Sequence, residues 1–244
     1  MNDAAPPLQF VSSTSGARLA VRERAGAQPT LLFLPGYASD MAGAKALAID
    51  RFAAERGLAL LRFDYSGTGE SDGRFVDGTL DRWLAEALLI ADTLTAGPLV
   101  VIGSSMGGWL ALHLALLRPD RVRALVGIAA APDFTDWGFG ADEVAELERS
   151  GRLERKGQAT TAAFWRSGQT LRLLGAPIAI DCPVRLVHGE LDRDVPVDVA
   201  MRLVERLRSA DVQLNIIKGG GHRLSEPREI AAILRAVAEL VELS

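Results

Sequence analysis

Gly103-Ser104-Ser105-Met106-Gly107 sets a serine between two glycines in the pattern G-x-S-x-G. Small neighbours of this kind let a strand turn sharply into a helix and expose the hydroxyl at the bend. A serine hydroxyl is a poor nucleophile near neutral pH, so chemistry at Ser105 needs a base within hydrogen-bond reach and an acid to orient that base. The chain offers three histidines. His222 follows Gly219-Gly220-Gly221 in the loop before the last helix, where glycine-rich backbone lets an imidazole swing over the serine. His113 falls two turns into the helix after the serine and reads as a core histidine, while His188 closes a strand and reads as a structural hydrogen-bonding group. For the acid, Asp192 follows the penultimate strand and gives the chain order serine, acid, histidine. Asp194 beside it, and Asp133 after the preceding strand, are the alternatives.

Acyl transfer at such a serine also needs donors for a developing oxyanion. The N–H of Met106, just after the serine, is one, and the amide of Tyr37 in Leu34-Pro35-Gly36-Tyr37 is the expected second. Trp109, Trp137, Phe139 and Trp165 are candidates for an apolar acyl pocket, with plain core packing as the competing reading.

The five-residue pattern alone arises by chance in about one chain in eight of this composition, so its surroundings must decide. It occurs twice. Gly69-Glu70-Ser71-Asp72-Gly73 lies in a polar loop with no strand entering and no helix leaving, and reads as a turn. Ser105 differs, because Leu99-Val100-Val101-Ile102 runs straight into it and Trp109-Leu110-Ala111-Leu112 leaves it with helical character.

Short apolar runs alternate with longer amphipathic ones along most of the chain, the pattern of βαβ units and a mostly parallel sheet. Strands are expected at 8–12, 18–23, 30–34, 58–64, 99–103, 124–129, 184–188 and 212–217, the first two as an antiparallel edge hairpin turning near Gly16. Helices are expected at 42–56, 80–95, 105–117, 197–208 and 228–243. No strand pattern shows between Pro132 and Pro183, and that stretch is expected to be a helical cap inserted at about 133–179 in a single 1–244 domain.

Composition narrows the functions. A net charge of −4 with scattered arginines gives nucleic acid no electrostatic foothold. Three separated histidines and the single Cys182 make no metal-ligand set, so neither metal nor other cofactor is expected. No run approaches 18 apolar residues, and the first ten residues lack the pattern of a leader, so the expectation is a cytoplasmic protein without membrane insertion.

Taken together, these residues resemble the α/β-hydrolase superfamily over nearly the whole chain. Leu34-Pro35-Gly36-Tyr37 through Lys45-Ala46-Leu47-Ala48, then Arg62-Phe63-Asp64-Tyr65-Ser66-Gly67, then Gly103-Ser104-Ser105-Met106-Gly107-Gly108-Trp109-Leu110 and Cys182-Pro183-Val184-Arg185-Leu186-Val187-His188-Gly189, are similar to the mitochondrial family of palmitoyl-protein thioesterases that also hydrolyse mycophenolic acid acyl-glucuronide. The resemblance implies an α/β-hydrolase fold with an eight-stranded sheet, and the lack of a transit-peptide pattern in the first ten residues points to a bacterial counterpart of that family. The resemblance also implies a Ser105, Asp192, His222 triad and a small-molecule or acylated-protein ester or thioester as substrate. Other chemistry on the same scaffold, such as C–C bond hydrolysis, acyl transfer or perhydrolysis, and a non-catalytic ligand receptor are the alternatives.

Overall fold

The computed structural model describes residues 5–155 and 157–243; Met1 to Ala4, Lys156 and Ser244, within the expected 1–244 span, lie outside the described residues. Eight strands form one sheet in the order β1 (Leu8–Ser12), β2 (Arg18–Arg24), β4 (Leu58–Phe63), β3 (Ala27–Leu34), β5 (Leu99–Ser104), β6 (Val122–Ile128), β9 (Val184–Gly189) and β10 (Val212–Ile217). β1 pairs antiparallel with β2, and β2 antiparallel with β4, while every other pairing is parallel. The edge hairpin turns through Gly16, whose φ of +84° favours glycine.

β4, β5 and β9 are buried along their whole length, as strands covered on both faces must be. On one face lie α2 (Leu80–Leu94), α3 (Met106–Leu117) and α7 (Val197–Arg206); on the other lie α1 (Ala44–Arg56) and α8 (Pro227–Glu242). α2 is helical because Leu80, Trp83, Leu84, Ala87, Ile90 and Ala91 recur at threes and fours and bury a single stripe. α8 starts at Pro227, whose ring suits a first helical position, and the Glu229 carboxylate accepts the Glu226 N–H at 3.0 Å.

β3 leads through α1 to β4 on one side, and β5 leads through α3 to β6 on the other. The strand order therefore reverses between β3 and β5, and their carboxyl ends open a crevice where ligands bind in such sheets.

Between β6 and β9 the chain leaves the sheet. α4 (Phe134–Trp137), α5 (Ala141–Ser150) and α6 (Ala162–Thr170) lie in the stretch where a helical cap is expected. The expectation of no strand there is corrected: β7 (Arg152–Arg155) pairs antiparallel with β8 (Gln158–Thr161) as a separate two-stranded hairpin. Four-residue strands of sequence RLER and QATT carry no apolar alternation, so their pairing left no period to read.

Candidate active site

Two of the glycines around Ser105 are required by space. A Cβ on Gly107 would stand 2.1 Å from the Leu34 carbonyl oxygen, and one on Gly103 would stand 2.2 Å from that of Gly107. Only hydrogen at both positions lets β5, the turn and α3 pass so close to β3. Ser105 itself has φ 53° and ψ −119°, a strained conformation for a non-glycine residue, held by its N–H donating to the Ile128 carbonyl at 2.8 Å.

Ser105 Oγ donates to His222 Nε2 at 3.1 Å, and His222 Nδ1 donates to Asp192 Oδ2 at 2.8 Å. Residues 117 and 30 positions apart are thus joined in one line at the carboxyl edge of the sheet. Asp192 Oδ1 accepts the N–H groups of Asp194 at 2.9 Å and Val195 at 2.8 Å. Burial alone would raise the Asp192 carboxyl, but the bond to His222 and the two amides outweigh it and hold the group below its ordinary value.

The competing residues have other partners. His113 donates Nε2–H to the Leu171 carbonyl, and His188 donates to the Val195 carbonyl. Asp133 accepts from the Leu173 and Leu174 amides and so pins the end of the cap. Asp194 contributes its N–H to Asp192 and lines both cavities that open at Ser105. In the second G-x-S-x-G match, Ser71 Oγ accepts from Ala20 N–H and donates to the Asp64 carbonyl, so it stitches a loop to β2. Burial pushes the Cys182 thiol up to about 11, which keeps it protonated and unreactive. Asp192, Asp194 and His222 bring ligand-type atoms within 4.8 Å, yet Asp192 and His222 already bond each other.

Met106 opens α3, so its N–H has no carbonyl one turn back to meet and is available at the bend. The turn after β3 packs against the same bend: a Cβ on Gly36 would lie 3.3 Å from that of Ser105. Tyr37 lines the cavity there, and its hydroxyl sits 3.3 Å from Thr160 Oγ1 and 3.4 Å from the Ala159 carbonyl of β8. The phenol thus ties the turn after β3 to the cap.

Two cavities meet at Ser105 and His222. One, of about 500 Å³, is walled by Phe134, Trp137, Phe139, Val195 and Pro196. The other, of about 570 Å³, is more polar, with Ser39, Asp40, Lys45, Arg223 and Ser225 around it. Of the four expected pocket aromatics, Trp137 and Phe139 line the first cavity. Trp109 and Trp165 do not: Trp109 is fully buried with its indole N–H on the Leu171 carbonyl, and Trp165 gives its N–H to the Thr135 carbonyl. Trp109 fastens cap backbone from α3 and Trp165 links α6 to α4 within the cap, because an indole N–H out of water must find an acceptor. Phe134, Gln158 and Thr160 line the first cavity without having been singled out from the sequence, and only the aromatic character of Phe134 offered a signal.

Residues 29–147 match the family described as alpha/beta hydrolase fold. Human palmitoyl-protein thioesterase ABHD10, mitochondrial, is 37% identical over 245 residues, covering 96% of this chain and 80% of its own. The chain belongs to the α/β-hydrolase family. Its backbone also matches the solved alpha/beta hydrolase domain-containing protein 10 from mouse, with a TM-score of 0.92, 35% identity and coverage of 98% and 100%. A solved candidate hydrolase from Agrobacterium vitis S4 superposes with a TM-score of 0.89 at 38% identity, covering 96% of this α/β hydrolase and 99% of the neighbour. Among the described residues, no helix of this α/β hydrolase is long and apolar enough to cross a membrane.

Proposed function

We propose that this α/β hydrolase cleaves carboxylic esters or thioesters through an acyl-enzyme on Ser105. The carrying observation is the line from Ser105 Oγ through His222 to Asp192, at 3.1 and 2.8 Å, on a strained strand-to-helix bend. His222 Nε2 takes the serine proton as Oγ attacks the acyl carbonyl, and returns it to the leaving alcohol or thiol as the C–O or C–S bond breaks. Asp192 holds the proton of His222 on Nδ1, leaving Nε2 free to accept. The N–H groups of Met106 and Tyr37 receive the charge on the carbonyl oxygen. Water then repeats the sequence on the acyl-serine, with His222 as its base. No step calls for a cofactor.

The relatives named palmitoyl-protein thioesterases support an acylated small molecule or protein as substrate. The cavity walled by Phe134, Trp137 and Phe139 suits a medium or long acyl chain, and the polar cavity suits the leaving group. A cytoplasmic setting is part of the reading, supported by the lone Cys182, which suits a reducing compartment.

A panel of p-nitrophenyl esters and S-acyl thioesters of increasing chain length tests this. The wild type is expected to turn them over with an optimum at medium or long chains, and Ser105→Ala to lose at least about 10³-fold in kcat while staying folded. Undiminished turnover by Ser105→Ala would sink the proposal.

A further inference from the structure

Lys45, second residue of α1, reaches the loop that carries His222 and donates to the Arg223 carbonyl at 2.5 Å. That loop has few other ties. Among the described residues, segment 221–225 makes no backbone–backbone hydrogen bond to the sheet or to a flanking helix. Its second fixed point is Leu224, buried in the core with φ at +45°, a conformation a leucine adopts only when its surroundings impose it. His222 meanwhile has to satisfy two directional bonds at once, to Asp192 and to Ser105, and a small loop displacement would break both.

The ammonium is half-buried, and burial pulls its pKa below the ordinary lysine value; Glu229 opposes this shift, Arg223 adds to it and Asp192 opposes it. The Arg223 carbonyl provides this half-buried cation with an acceptor. The resulting contact runs from the helix that follows the turn of Gly36 and Tyr37 to the residue immediately after His222. It therefore joins the β3 side of the crevice to the loop bearing the expected base.

We propose that Lys45 is a positioning residue for ester or thioester cleavage: its bond to the Arg223 carbonyl holds the His222 imidazole in line between Asp192 and Ser105. The inference rests on Ser105 being the nucleophile. Lys45 acts through the backbone of the His222 loop, so its loss lowers the rate of the chemical step by more than it raises KM, even though its side chain also borders the polar cavity. A shift of about 1 Å in a catalytic group costs on the order of 10²-fold in rate.

The test compares wild type, Lys45→Met, Lys45→Gln and Lys45→Arg on a neutral p-nitrophenyl ester, with kcat and KM measured separately and the rate of fluorophosphonate labelling followed alongside. Lys45→Met and Lys45→Gln are expected to lose roughly 10- to 100-fold in kcat and in labelling rate, with a smaller change in KM. Lys45→Arg, which keeps the charge and a donor of sufficient reach, is expected to recover most of the rate. Two neutral variants keep the test intact if one fails to fold. Wild-type kcat in both neutral variants, or a rise in KM with kcat unchanged, would overturn the assignment. Ser105→Ala run in parallel separates the two ideas: its activity condemns the nucleophile, whereas an inactive Ser105→Ala beside a fully active Lys45→Met condemns only the role of Lys45.

Discussion

Asp192→Asn replaces one oxygen of the proposed site by an NH₂ group, and the surrounding bonds decide which oxygen it is. Asp192 Oδ1 accepts two backbone N–H groups, from Asp194 and Val195, so in the variant the amide oxygen must stay there. The NH₂ then occupies the place of Oδ2, 2.8 Å from His222 Nδ1. Two donors cannot share that contact, so the imidazole carries its proton on Nε2 instead, aimed at Ser105 Oγ, 3.1 Å away. In that tautomer His222 cannot take the serine proton. The expected loss is about 10⁴-fold in kcat, which is roughly 5.4 kcal/mol of transition-state stabilisation. The fold should survive, because the two backbone bonds to Oδ1 are retained. Steady-state hydrolysis of a p-nitrophenyl ester, beside a urea unfolding curve, reads both quantities. A folded Asp192→Asn protein with kcat within tenfold of wild type would refute the tautomer reasoning.

Two further expectations concern stability. Asp50 bridges Arg24 at 2.9 Å and the fully buried Arg62 at 3.0 Å, so Asp50→Ala strands a buried guanidinium and should cost about 3–5 kcal/mol in urea unfolding; a loss under about 1 kcal/mol would contradict this. Glu86 is buried with Oε1 unpartnered, and burial raises its carboxyl above the ordinary value near 4.5. The folded state thus keeps that proton longer than the unfolded chain, and stability falls as pH climbs from the ordinary value through the raised one. Glu86→Gln should match wild type below about pH 4 and exceed it at pH 8 by about 1 kcal/mol, or roughly 2–4 °C in Tm; a lower Tm at pH 8 would refute it.

The segment from β5 through Ser105 into α3 was readable because each part carries its own signal: an apolar run, two glycines that space requires, then an apolar helix. His222 and Asp192 were readable from their places after the last two strands, since a parallel sheet gathers loops at one edge. The cap hairpin was not, because β7 and β8 are short and polar and their pairing depends on each other alone. Nor did spacing sort the tryptophans. Trp109 lies only four residues past Ser105 yet points into the core, while Trp137 lies far along the chain and walls the cavity. Lys45 carried no signal by type, as a lysine early in a surface helix is ordinary; its meaning comes from a carbonyl 178 residues away.

The most direct test of an activated Ser105 is reaction of the purified protein with a fluorophosphonate, the adduct being located by mass spectrometry. A single adduct on Ser105 that His222→Ala suppresses is the expected result. Folded protein that stays unmodified, or that carries the adduct on another residue, would contradict the account.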